Sequence, residues 1–105
     1  MGMGPVPAVQ KVLNRTGLSI DKIDIFELNE AFAAQALAVV KELKIDPAKV
    51  NPKGGAIALG HPLGGTGGRL MATLVHGLHH YGKKYGVESM CVGGGQGAAV
   101  VVERM

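Results

Sequence analysis

Tryptophan is absent from this 105-residue chain, and its rings are two tyrosines and two phenylalanines. Proteins that hold single-stranded nucleic acid stack bases on aromatic rings along a basic groove. Rings are scarce here and the Lys and Arg residues are scattered, so a net charge of +3 and a pI near 9.2 do not amount to a nucleic-acid surface. Cysteine occurs once, at Cys91, which excludes a disulfide within the chain and favours a reducing setting, cytoplasmic or matrix-like. Long apolar runs are missing: Ala36 to Val40 and Ala98 to Val102 fall far short of the ~20 residues that a membrane span needs. The start, Met1-Gly2-Met3-Gly4-Pro5, has no basic region leading into an apolar stretch and does not read as a signal peptide. Charge is sparse as well. Charged residues are 18% of the chain against ~25% in ordinary soluble domains. With a mean hydropathy of +0.21, that points to one small domain that buries a face against something else.

Glycine, by contrast, is abundant. The 17 glycines cluster at 54–68 and 93–97, where they mark particular backbone sites rather than disorder. Pro5 suits a helix start, Val6, Val9 and Leu13 follow at helical spacing, and Gly17 supplies a stop, so 5–16 is predicted helical. After a turn at 19–22, residues 23–28 form a β-prone run that breaks at Asn29, a favoured helix cap. A helix over 30–44 is expected to lay Ala33, Ala34, Leu37, Val40 and Leu43 on a sheet. Ile45-Asp46-Pro47-Ala48-Lys49-Val50 echoes Ile20-Asp21-Lys22-Ile23-Asp24-Ile25, a weak repeat of helix, turn and strand. Val50–Asn51 and 56–59 are expected to supply a short strand and the approach to His61. Leu70, Leu74, Leu78 and Tyr81 predict a helix over 66–83, 87–92 a strand, 93–97 a turn, and 98–103 a buried returning strand. Helices alternating with strands imply an α/β domain with a mixed, mostly parallel sheet whose last strand is antiparallel.

Three polar residues stand where a strand gives way to a turn or helix, which is where open α/β sheets place ligands. His61 lies in Gly60-His61-Pro62-Leu63-Gly64-Gly65-Thr66-Gly67-Gly68, a turn able to aim an imidazole into a cleft. Cys91 precedes Gly93-Gly94-Gly95-Gln96-Gly97, whose bare N–H groups suit an oxyanion; it equally fits a small buried hydrophobe. Asn29 fits a ligand contact or a helix cap. Neither glycine cluster matches the dinucleotide or phosphate-loop template. His76 and His80 share a helix face, but no third ligand is near, so that stripe reads as solvated rather than metal-binding. A cysteine, a histidine and backbone donors together suggest acyl transfer.

Asn29-Glu30-Ala31-Phe32, Gly60-His61-Pro62 and Cys91-Val92-Gly93-Gly94-Gly95-Gln96-Gly97, in this order, closely resemble the C-terminal motifs of thiolases, the acyl-CoA C-acetyltransferases. Met3-Gly4-Pro5-Val6-Pro7-Ala8 and Asn51-Pro52-Lys53-Gly54-Gly55 are also similar to family sequence, so the resemblance spans nearly all of 1–105. It implies a layered α/β/α C-terminal domain whose first strand precedes Met1, leaving the edge beside 98–103 open. It also implies roles. The histidine matching His61 activates a nucleophilic cysteine and joins an oxyanion hole through Nε2, and the asparagine matching Asn29 holds a water that completes that hole. The cysteine matching Cys91 is the acid/base, and the N–H matching Gly93 lines a second oxyanion hole. Acyl-CoA and CoA are then substrates, no cofactor is needed, and the partners are an N-terminal thiolase domain and further copies in a dimer or tetramer. Gly65-Thr66-Gly67-Gly68 departs from the family's frequent Ala-Ser-Gly-Ala. The nucleophile belongs to the N-terminal half, so this chain alone is expected to be inactive; the competing readings are an assembly module and a free-standing CoA-binding module.

Overall fold

A computed structural model describes residues 2–105. The first helix, α1 (Pro5–Thr16), carries Pro in its opening turn, where no N–H is needed. It ends at Gly17, whose φ of 71° lets its N–H reach the Leu13 carbonyl. A single tight turn then leads into β1 (Ile25–Leu28), followed by α2 (Ala33–Leu43), the four-residue helix α3 (Ala56–Leu59), α4 (Thr66–Tyr81), and a hairpin of β2 (Tyr85–Val92) and β3 (Gln96–Glu103).

The sheet runs in the order β1-β2-β3. β1 and β2 are parallel, with Ile25 beside Gly86 and Leu28 beside Ser89, and β2 and β3 are antiparallel, with Tyr85 opposite Glu103 and Cys91 opposite Gly97. Side chains alternate between the two faces, and each face acquires its own helical cover. Phe26, Leu28 and Val87 meet Val6, Val9 and Leu13 of α1 and Val39 and Leu43 of α2. Ile25 and Val102 meet Leu74 and Leu78 of α4 on the other side. Three layers result. Gly86 is what lets α4 sit so close, since a Cβ there would stand 2.6 Å from Leu74 Cδ1. No helix among the described residues is long and apolar enough to cross a membrane.

The repeat at 20 and 45 corresponds to two equivalent short turns, Ile20–Lys22 after α1 and Pro47–Lys49 after α2. The first leads into β1 and the second into a single parallel bridge from Val50 to Phe26. Four sequence expectations need correcting. Residues 56–59 form a helix rather than a strand, because the carbonyl of Gly55 accepts from the N–H groups of Ala58 and Leu59 instead of facing β1. α2 begins at Ala33, not at 30, because the chain is still held to the sheet at Asn29, on the Ser89 carbonyl, and Phe32 keeps an extended backbone, φ −144° and ψ 142°. Its buried side is Val39 and Leu43, with Leu37 70% exposed, since the core it must cover lies toward α1. β3 is largely exposed rather than buried, because it forms the sheet's edge.

Candidate active site

The site is built at the C-terminal end of β1. Phe26 to Leu28 are fully buried, and Asn29 follows with 1% exposure, its backbone N–H bound to the Ser89 carbonyl at 2.9 Å. Val50 makes this segment's bridge to β1, the Asn51 N–H still donates to the Phe26 carbonyl at 2.8 Å, and from there one side chain takes the place of further pairing. Asn51 Oδ1 accepts from the Leu28 N–H and Asn51 Nδ2 donates to the Leu28 carbonyl, both at 2.9 Å. Asn51 tolerates the left-handed backbone this needs, φ 46°. The amide therefore imitates one residue of a neighbouring strand and holds the last turn of β1 in place. Glu30 ties the next loop down: its Oε1 accepts from the Ile57 N–H at 3.2 Å, and its carboxyl fills the space a Cβ at Gly55 would need.

His61 follows α3 on an exposed loop, reached through Gly60 at a φ of 99°. Two contacts orient its ring. Nδ1 lies 2.6 Å from Thr66 Oγ1, and Nε2 lies 3.4 Å from Asn29 Nδ2. Thr66 is fully buried as the first residue of α4, and the Pro62 carbonyl accepts from its hydroxyl at 3.0 Å. Asn29 Oδ1 is buried without a partner among the described residues, leaving an acceptor beside the imidazole.

Of the four residues singled out in the sequence, Asn29 and His61 are thus in contact. Cys91 and Gly93 join them by position: they lie two and four residues past Ser89, at the same end of the sheet, where β2 turns through Gly93-Gly94-Gly95. Gly94 and Gly95 take φ of 81° and 79°, a path closed to most side chains. Cys91 is partly exposed and, among the described residues, makes no hydrogen bond to His61 or Asn29. The site is open, and a groove of about 370 Å³ lined by Ala33, Leu37, Val40, Val50 and Ile57 lies beside Glu30, away from the histidine. His76 and His80 are exposed on α4, and no group of three His, Cys, Asp or Glu among the described residues is placed to hold a metal.

Three residues escaped sequence reasoning. Thr66 and Asn51 lie inside the motif segments, and only their partners reveal what they do. Glu27 is the third, 1% exposed beneath α4, with Arg69 Nη1 3.9 Å from its Oε1. Burial pushes its carboxyl up to about 7, against the pull of Arg69 and with Glu30 and Glu88 adding to the push. An alternation in which Glu27 shares a face with Ile25 was the available signal.

The sequence and the fold are both similar to those of known proteins. The family model described as "Thiolase, C-terminal domain" matches residues 1–104. The chain is 59% identical to the mitochondrial 3-ketoacyl-CoA thiolase of Bos taurus, covering 98% of this chain and 26% of that protein. It is 61% identical to the beta-ketoadipyl-CoA thiolase of Pseudomonas knackmussii, covering 100% and 27%. The crystal structure of the human mitochondrial 3-ketoacyl-CoA thiolase in complex with CoA superposes with a TM-score of 0.97 at 55% identity, covering 99% of this chain and 26% of that one. The chain therefore spans about a quarter of the length of the relatives it matches. With the family's three-layer fold and its motifs at one end of one sheet, the chain belongs to the thiolase family, as a thiolase C-terminal domain.

Proposed function

We propose that this chain supplies the acid–base half of a thiolase active site, for acyl transfer between CoA thioesters: thiolysis of a 3-ketoacyl-CoA, or condensation of acetyl-CoA in reverse. The observation that carries the reading is the contact between Asn29 Nδ2 and His61 Nε2 at the end of the sheet where the strand bearing Cys91 also ends. In the thiolysis direction, His61 Nε2 takes the proton of a cysteine thiol supplied by an N-terminal domain, and the thiolate attacks the 3-keto carbon. The carbon–carbon bond then breaks, leaving an enolate of acetyl-CoA that Cys91 protonates. Cys91, now a thiolate, takes the proton of an incoming CoA thiol as that sulfur attacks the acyl-enzyme, and the departing cysteine thiolate recovers its proton from His61 Nε2. Each step places negative charge on an oxygen, and fixed donors stabilise it: Nε2–H of the protonated His61 with a water on Asn29, and the Gly93 N–H. CoA is a substrate in this scheme and no cofactor is invoked. The complete protein is proposed to be a dimer or tetramer, in the cytoplasm or, as the name of the bovine relative indicates for that protein, a mitochondrion.

The test is acetoacetyl-CoA thiolysis by this chain alone and after mixing with a separately produced N-terminal half bearing the nucleophile. Activity is expected only in the mixture, lowered about 10²–10⁴-fold by His61→Ala or Cys91→Ala. Thiolysis by the chain alone would overturn the two-part scheme. An inactive mixture shown to be folded and associated would move the chain to the assembly reading.

A further inference from the structure

Which ring nitrogen of the neutral His61 carries the proton decides whether Nε2 begins as a base or as a donor. We propose that Thr66 is a positioning residue that fixes the neutral imidazole of His61 as the Nδ1–H tautomer, leaving the Nε2 lone pair free to take a proton. This rests on the reading of His61 as the base, while its direct test does not require activity.

A threonine hydroxyl has one proton and two lone pairs. Thr66 Oγ1 lies 3.0 Å from the carbonyl of Pro62, four residues back, the back-bonding geometry open to a threonine in a helix's first turn. With its proton on that carbonyl, the oxygen facing His61 Nδ1 at 2.6 Å presents a lone pair, so Nδ1 must be the donor. The far side of the ring is compatible with that choice: Asn29 Nδ2 stands 3.4 Å from Nε2, and an amide this way round meets a lone pair there when Nδ1 carries the proton. The opposite arrangement points the hydroxyl at Nδ1 and leaves two N–H groups facing each other at Nε2.

Burial makes the choice rigid. Thr66 has no exposed surface, its β-branch restricts χ1, and its own N–H is also held by the Pro62 carbonyl at 2.9 Å. His61 itself is exposed, so without Thr66 water decides its tautomer, and water favours Nε2–H. In the proposed chemistry the S–H bond of the nucleophile breaks, the N–H bond forms at Nε2, and the ring becomes a cation whose Nδ1–H never leaves Thr66. Nε2–H is then the donor that the developing oxyanion needs. Thr66 gains and loses nothing.

The measurement is a long-range ¹H–¹⁵N correlation on the ¹⁵N-labelled chain, taken above the histidine titration range, where the two neutral tautomers have distinct patterns. The expected result is Nδ1–H for His61 in the natural chain and in Thr66→Ser, and a return to Nε2–H in Thr66→Val. An Nε2–H pattern in the natural chain overturns the proposal by itself, whether or not Thr66→Val folds, and so does an unchanged Nδ1–H pattern in a folded Thr66→Val. In the reconstituted mixture Thr66→Val is expected to lower kcat about 10–100-fold with KM little changed, the scale on which supporting residues act, and Thr66→Ser to restore most of it. A mixture inactive even with the natural chain would count against the proposed function and leave the tautomer result standing.

Discussion

Glu27 shows what a single side chain costs when a sheet face closes over it. It occupies the strand position between Ile25 and Asn29, so the period of two turns it under α4 whatever its polarity. With 1% exposure and Arg69 3.9 Å away, too far for a hydrogen bond, its carboxyl is pushed up to about 7. The folded value lies above the ordinary value of 4.5, so the folded chain holds this proton more tightly than the unfolded chain does. That stabilisation is complete below pH 4.5 and is lost as pH rises through about 7. The loss is at most about 3 kcal/mol, reduced by the solvent that reaches Arg69. Denaturant midpoints for the natural chain should therefore fall as pH rises from about 4.5 to about 7, and Glu27→Gln should flatten that fall. A slope unchanged in Glu27→Gln would show that Glu27 is not the group responsible.

Among the elements, Asn51 joins two segments that are not consecutive in the chain. Asn51→Ala removes two hydrogen bonds to Leu28 and places a Cβ-bearing residue without a capping side chain at a φ of 46°. About 2–4 kcal/mol of stability should be lost, since each buried partner left unpaired costs about 1–3 kcal/mol. Urea unfolding measures this, and a loss under 0.5 kcal/mol, the range of an ordinary surface change, would show that the amide does not stand in for a strand. The same residue explains where sequence reading stopped. α1, α4 and the β2–β3 hairpin were legible because each signals itself within a few residues: Pro5 and Gly17 bracket one, Leu70, Leu74 and Leu78 stripe another, and three glycines turn the third. The helix at 56–59 was not legible because what holds it lies outside it, Ile57 on Glu30, just as the Asn51 side chain is held by Leu28. The start of α2 was not legible for a similar reason, since Asn29 is still held to Ser89 in the sheet and Phe32 is still extended, and a lone segment shows neither. The motif residues His61, Asn29, Cys91 and Gly93 were identified by type and order. That Thr66 grips the histidine became visible only once a loop and a helix start lay side by side.

For the whole molecule, the unbalanced feature is the outer edge of β3. Gln96 to Val102 carries no charge and no proline, the two devices that blunt an edge against pairing. Ala99 and Val101 pack toward α1 and Val102 toward α4, so both faces of the strand already join a core, while Val100 remains 42% exposed. A strand added there would gain main-chain hydrogen bonds and extend both apolar layers at once. Two copies of the chain satisfy that by antiparallel pairing of their β3 strands about Val100, an arrangement in which Glu103 of each faces Gly97 of the other and no like charges meet. Concentration-dependent self-association is therefore expected for this chain by sedimentation velocity. Val100→Lys should suppress it, because a second lysine close by in the symmetric pair would have to be desolvated against a like charge. The substitution sits on an exposed position and should leave the melting temperature of the monomer within a few degrees of the original. Association undiminished in Val100→Lys would move the contact from the sheet edge to the exposed apolar side chains around Leu37, Ile57 and Leu63, the other surface where this chain shows the oily character of its composition.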